Sequence, residues 1–546
     1  MIFMQNFSCM KRLLRALLFL PIIGHAQVVD FQSSTLPIIF IETNGQAIPN
    51  EPKITATMRI IDNGPGQTNH IDDPANGYDG IIGIELRGSS SLDLSDKKPY
   101  SVETRNTEGE DMDFPLLGMP EESDWAFIAP FSDKSLIRDA LILEMARRIM
   151  PWASRTRFVE LVVNGDYQGI YLVAEKIKRD KNRVDISKLE PEEIAGDDLT
   201  GGYILKLDKF SGAPSEGWTS PFNYPYNTVY QIEYPKLEDL QQAQKDYIRN
   251  WITDFELAMQ EDDFDQPGHG FDQYLDLNSF VDFVIINEIA KNVDGYRLST
   301  YFYKDKDSED TKLHAGPVWD FNIALGNANY CNADLTYGWA IDFNDVCPGD
   351  FWQISLWWER LWDSPVFRQK VQARWYELRA STFSDEAING MVDSLFMVVE
   401  DAQVRNFERW PILNFWVWPN SYCCGAWQQH ANYMETWLHD RIAWLDGAMP
   451  GIYVGIYDTA EYFAPKVYPN PNNGQMTFDY YARHGGLIQL EVFDAAGRQT
   501  DYYQQDVYLN GTHSLPYSAS LAQGIYFYTF RIDGKEVQRG RFVVHP

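Results

Sequence analysis

The chain has 546 residues, 14% of them aromatic with 17 Trp and 31 Tyr, and a formal net charge of −32. A chain of this length exceeds one ordinary domain, and its acidity excludes nucleic acid or an anionic membrane surface as the main partner. A polyphosphate can bind such a chain only where Lys, Arg or a metal ion offsets the field locally.

Lys11, Arg12 and Arg15 precede the apolar run 16–23, and Gly24-His25-Ala26 offers a small-residue cleavage site. The pattern predicts a signal peptide over 1–26 and an exported mature chain. The apolar run is too short to span a bilayer, and no later stretch is apolar for long enough, so no transmembrane segment is expected.

Residues 36–105 read as strands, with Gly, Pro and Asn between apolar or alternating runs. The small-residue loop 88–91, which includes Ser90, and the pair Lys97 and Lys98 would suit a phosphate-facing edge, offering amides, hydroxyls and a cation. A flexible turn and a solvated face are the bland alternatives, and alternation puts one lysine on each face, so both stay candidates. Residues 132–150 predict an amphipathic helix with Ser132 or Asp133 as N-cap and Pro151 as stop. Glu144 falls on the stripe of Ile137, Leu141 and Arg148 and needs a partner. A phosphate-binding lysine and Arg148 at i,i+4 are the two choices, and Arg138 is a possible anion clamp. FVELVVNGDYQGIYLVAEKI predicts a hairpin turned at Asn164-Gly165-Asp166. Glu175 closes it, where a protein kinase has its adenine-contacting hinge; pairing with Lys176 or Lys178 is the alternative.

A charged helix near 237–260 is followed by a second over 276–291, with Leu277, Phe280, Val281, Val284 and Ile285 as its buried stripe. It delivers the chain into NVDGYRLSTYFYKDKDSEDTKLHAGPVWDFNIALGN. Here 299–304 and 313–318 read as the arms of a hairpin and DKDSEDT as its turn. Antiparallel pairing returns the second arm to where the first began, which brings Asp294 and Asp320 together. Ser299 follows Asp294 by five positions and Asn322 follows Asp320 by two. Protein kinases share this order of base Asp, metal-binding polar residue, hairpin and metal-binding Asp. His314 in the hairpin reads as packing. Most tryptophans of 351–449 read as core.

Cys9 leaves with the signal, so Cys331, Cys347, Cys423 and Cys424 remain, with three possible pairings. Export favours disulfides over zinc, for which adjacent cysteines are poorly spaced. The favoured reading pairs Cys331 and Cys347 each with one of Cys423 and Cys424, clamping the segment after the active loops onto C-terminal helices; a simple Cys331–Cys347 loop is the alternative.

The NVDGY…YFY run followed by GPVWDFN resembles the spore-coat-protein-H (CotH) kinase-like family. So do LRGSSSLDLSDKKPYSVE, SLIRDALILEMARRI and VNGDYQGIYLVAEKI, over roughly 36–446. The resemblance implies an α+β, atypical protein-kinase-like two-lobed domain over 27–455, with a β-rich N-lobe and a helical C-lobe. It further implies ATP with Mg2+ or Mn2+ and transfer of phosphate to protein Ser or Thr. Asp294 would accept or orient the acceptor hydroxyl, and Asp320, Asn322 and Ser299 would hold the metal. Lys97 or Lys98, positioned by Glu144, would bind phosphate with Ser90, and Glu175 would meet the base. The family carries an acid where this chain has Asn322 and an Asn where it has Ser299, so the set is less negative. A non-catalytic cell-surface adhesion or substrate-capture protein, and nucleotidyl transfer, are the alternatives.

From 456 to 546 the composition shifts to short strands with turns at Asn472-Asn473-Gly474, Gly497 and Asp533-Gly534, as in a small all-β sandwich. The YPNP, FDAAGR and GIYFY…GRFVV pieces resemble the C-terminal sorting domain of type IX secretion system cargo. That resemblance implies the type IX machinery as a partner and a secreted or outer-membrane cell-surface destination.

Overall fold

A computed structural model describes residues 29–88, 90–209, 216–222, 228–452, 462–482, 486–507, 511–532 and 534–545. The expected signal peptide lies outside these residues. The chain divides into two units, Met1–Met449 and Pro450–Pro546.

The strand-rich N-terminal part of the first unit closes into a seven-stranded barrel. Its order is Ile38–Glu42, Ile54–Ile61, Tyr78–Leu86, Tyr100–Arg105, Asp124–Ile128, Asp166–Glu175 and Thr156–Val163. All neighbours are antiparallel except the closing pair, where Ile38–Glu42 runs parallel to Thr156–Val163. Closure leaves no free sheet edge, and alternate residues such as Ile39, Ile41, Met58, Ile60, Ile82, Ile84, Val102, Trp125 and Val173 fill the interior. The hairpin turn falls where Asn-Gly requires it, with positive φ at both Asn164 (51°) and Gly165 (76°).

The helix expected over 132–150 is shorter, Arg138–Arg147, because Leu136 takes φ 73° and interrupts the approach. Asp133 does not occupy the cap position. It reaches forward instead, accepting from the N–H groups of Ser135 (3.0 Å) and Arg138 (2.9 Å). The helix Leu277–Ala290 starts on an Asp276 cap that accepts from Ser279 N (2.8 Å) and ends on Lys291 at φ 41°. Its residues from Ser279 to Ala290 are buried without interruption, so it is a central helix wrapped on all sides rather than a one-stripe surface helix.

Beside it lies a five-stranded sheet ordered Glu216–Thr219, Val229–Tyr234, Tyr203–Leu207, Thr300–Lys304, Leu313–Ala315. The last two strands form the expected hairpin, in register Phe302↔Ala315, Tyr303↔His314, Lys304↔Leu313. The Trp-rich helices that follow bury Trp357, Trp358, Trp362, Trp375 and Trp437, with Trp357 and Trp358 stacked 4.5 Å apart. Phe415, Trp416 and Trp418 stay exposed on a loop.

The disulfides differ from the favoured pairing. Cys331 bonds Cys347, and Cys423 bonds its neighbour Cys424. The C-terminal helix does hold the 331–347 segment, through hydrogen bonds from Trp437 to Asp334 O (2.6 Å) and from Arg441 to Thr336 O (3.0 Å) and Gly338 O (2.7 Å).

The second unit is all-β. A three-stranded antiparallel sheet (Tyr462–Tyr468, Gln475–Ala482, Gly511–Ser518) faces a four-stranded one (Gln499–Val507, Gly486–Phe493, Gly524–Ile532, Lys535–Val544). Phe478 and Leu515 from one sheet pack with Ile488, Leu490, Phe530 and Phe542 from the other. Gly474 and Gly497 adopt the positive φ expected of the predicted turns, whereas Asp533 lies outside the described residues.

Candidate functional site

The hairpin brings its two flanking loops to one cavity of about 460 Å³. Asp294, Ser299, Asp320 and Asn322 all line it, together with Glu85–Gly88 at the end of a barrel strand and with Trp418 and Pro419. Asp320 sits at φ 68°, its carbonyl accepting from the Asn292 side chain (3.2 Å). Its carboxylate has no hydrogen bond among the described residues. Water reaches that group, but protein surrounds the cavity. Loss of bulk water first, and the field of Asp294 second, push its pKa up to about 6 against the opposing Arg87. Asp294 Oδ1 accepts from Arg297 Nη2 at 2.6 Å, and Asp294 Oδ2 has no hydrogen-bonding partner among the described residues.

Four further acids line the cavity: Glu51, Glu85, Asp139 and Asp208. Asp139, on the first turn of Arg138–Arg147, accepts from Phe321 N at 2.7 Å. Burial, then Asp320, push its pKa up to about 7, with the Phe321 hydrogen bond opposing. Burial likewise raises Asp208, with Lys206 opposing. Four cations line it as well: Arg87, Lys176, Lys206 and Lys209. Arg87 lies 5.4 Å from the Trp319 ring, Lys176 is 3.9 Å from Asp124, and Lys206 is 2.8 Å from Glu233.

The N-terminal candidates stand elsewhere. Lys97 is 1% exposed and donates to Ile170 O (2.5 Å) and Asn406 Oδ1 (2.8 Å), with the Tyr171 ring 4.9 Å away. Lys98 donates to Leu92 O and Ser95 O, each at 2.6 Å. Neither lysine lines the cavity: Lys97 is held by partners 73 and 309 residues away, and Lys98 by carbonyls of its own loop. Glu144 pairs with Arg147 and, at 3.1 Å, with Arg148, so the i,i+4 alternative is the one realised and no lysine is held. Glu175 is buried against Arg155 (2.8 Å) and Arg183 (3.4 Å), away from the cavity. Its neighbour Lys176 is the residue that faces in. The side chain of Ser90 lies outside the described residues.

Replacing Glu144 by Ala should therefore cost no more than about 0.5 kcal/mol, as thermal unfolding would report.

Some of the missed residues left a trace in the sequence. Arg87 opens the LRGSSS segment. In ILKLDK, alternation sets Lys206 and Asp208 on the face opposite buried Leu205 and Leu207. Asp139 had no signal beyond its place beside Arg138.

Among the described residues no three His, Cys, Asp or Glu side chains form a metal-holding group. The donor set still suits a hard cation such as Mg2+, which is commonly bound through one or two carboxylates plus phosphate oxygens and waters. A carboxylate at Asp320 without protein hydrogen bonds meets that description, as do the amide of Asn322 and the hydroxyl of Ser299 beside it.

A family model described as CotH kinase protein matches residues 84–445, and one described as a secretion system C-terminal sorting domain matches 466–545. The sorting domain indicates secretion with cell-surface attachment and implies the type IX secretion machinery as a partner. No helix of the described residues is long and apolar enough to cross a membrane. No curated protein matches the chain. Among solved structures it is similar to the Pseudomonas fluorescens alkylpurine DNA glycosylase AlkC bound to DNA containing an abasic site analog, at 10% identity and a TM-score of 0.13. That likeness spans 38% of this chain and 60% of the glycosylase, and at such a score it carries no argument. With a family model covering well over half of its length, this exported kinase-like chain belongs to the CotH kinase protein family.

Proposed function

We propose that the chain is a secreted phosphotransferase that moves the γ-phosphoryl group of ATP to a Ser or Thr hydroxyl of a protein, with the barrel and the helix-rich part serving as the two lobes of a kinase-like domain. The observation that carries this reading is the convergence of Asp294 and Asp320, 26 residues apart, in one cavity that also holds four cations. Asp294 orients the acceptor hydroxyl and draws off its proton. Asp320, with Asn322 and Ser299 beside it, holds a divalent cation. Mg2+ or Mn2+, when bound, supplies the positive charge that offsets the transferring phosphoryl group. Arg87, Lys176, Lys206 and Lys209 take the roles that the sequence suggested for Lys97 and Lys98, giving the triphosphate local positive charge within a chain of net charge −32.

The exposed Phe415, Trp416 and Trp418 favour a second reading, a surface protein that captures a partner through aromatic contacts without turnover. Incubation of the mature protein with γ-labelled or α-labelled ATP and Mg2+ or Mn2+ separates the cases. Label from γ supports phosphorylation and label from α means nucleotidyl transfer. Labelling from neither donor leaves the capture role.

A further inference from the structure

We infer that Arg297 is a positioning residue for Asp294, and that through it the segment 331–352, closed over 331–347 by a disulfide, sets the order of the loop carrying Asp294. The kinetic part of this inference rests on the phosphotransferase reading above; the structural part does not.

Cys331 and Cys347 are bonded, with Cα atoms 5.5 Å apart. The charged side chains flanking Asp294 all end on the segment around this bond. Glu288 is fully buried and accepts from Ala340 N (2.8 Å) and Ile341 N (3.0 Å). Lys291 donates to the carbonyls of Asn332 (2.7 Å), Leu335 (2.9 Å) and Tyr337 (2.5 Å).

Arg297 completes the set and, among the described residues, alone hydrogen-bonds the Asp294 carboxylate. Its Nη2 donates to Asp294 Oδ1 at 2.6 Å, and its Nη1 to Trp352 O at 2.9 Å and Asp350 Oδ1 at 3.3 Å. Its Nε donates to Val293 O at 2.9 Å, and the guanidinium lies 4.1 Å from the Phe343 ring. A planar fork held at three points fixes the direction of each N–H. At 6% exposure this is no solvent-screened surface pair. The Asp294 carboxylate is thereby pinned through Oδ1, and Oδ2 is left for the acceptor hydroxyl. Asp350 lies one turn past the bonded Cys347, its N–H donating to Cys347 O at 3.0 Å.

The test uses the mature full chain as Arg297→Met, Arg297→Lys and the double variant Cys331→Ser/Cys347→Ser. Two readouts are taken: amide hydrogen exchange over 292–299, and steady-state transfer from Mg-ATP to dephosphorylated casein. Arg297→Met and the double Ser variant should both speed exchange over 292–299 by about tenfold or more. Both should lower kcat by roughly tenfold to a hundredfold with KM for ATP within about twofold, as expected for a misplaced group that does not bind nucleotide. Arg297→Lys keeps the charge without the fork and should recover only part of kcat. Unchanged exchange in the double Ser variant, or a defect of Arg297→Met lying wholly in KM, overturns the inference. If the wild-type protein transfers no phosphate, the phosphotransferase reading fails, and exchange alone still decides whether the segment orders the loop. If Arg297→Met does not fold, Asp350→Ala removes one partner of Arg297 from a partly exposed position and gives the same readouts.

Discussion

Asp320→Asn should abolish metal-dependent ATP binding and lower transfer by roughly a thousandfold or more, while the thermal midpoint of the metal-free protein at pH 7.5 holds or rises slightly. The two halves follow from one fact: this carboxylate sits among other acids with no hydrogen bond to relieve it. Its folded pKa, raised to about 6, exceeds the ordinary Asp value of about 3.9, so the folded state binds the proton more tightly than the unfolded one. Ionised Asp320 therefore opposes folding at neutral pH, and that cost fades as the pH falls from about 6 towards about 4. In a dry site the shift would amount to about 3 kcal/mol; water reaches this group, and the discounted cost is about 1 kcal/mol. Titration calorimetry with Mg-ATP, and thermal unfolding in EDTA at pH 7.5 and pH 4, check both halves. Wild-type affinity in the variant would remove Asp320 from the site. A large drop in the midpoint would mark it as a structural residue.

Asp294→Asn should act on the other side of the reaction. We expect kcat to fall by about 10²–10⁴-fold with ATP affinity within about threefold of wild type. The amide oxygen of Asn can still accept from Arg297 Nη2, so the loop keeps its tie to the 331–352 segment and only the proton-accepting carboxylate is lost. Single-turnover transfer of γ-label against calorimetric affinity separates chemistry from binding. A variant that binds ATP weakly but turns over normally once saturated would place Asp294 in binding instead.

Much of the site's C-terminal half was legible in the chain. The DKDSEDT turn between two aromatic arms specified a hairpin, and an antiparallel hairpin must bring its flanks together, so Asp294, Ser299, Asp320 and Asn322 could be grouped before any coordinates. The N-terminal half was not legible in the same way. The KKP segment shows two cations near strands, but nothing local tells that Lys97 ends on Asn406, 309 residues away. The basic wall comes from Arg87, Lys176, Lys206 and Lys209, on or just past three strands that meet only because the barrel closes beside the second sheet.

The sequence by itself determined the elements whose cause is local. The Asn164-Gly165 turn, the Asp276-capped helix, the Asp294–Asp320 hairpin and the C-terminal strands were readable because turn chemistry, caps and periodicity act within a few residues. Only the tertiary structure decided which charges face the cavity, which acid on Arg138–Arg147 points inward, and how the cysteines pair. Each of those outcomes depends on the distance and burial between segments far apart in the chain, as Asp139 shows by receiving the N–H of Phe321 from 182 residues away. Coulomb and desolvation energies follow spatial separation rather than sequence separation, so no pattern of neighbours encodes them.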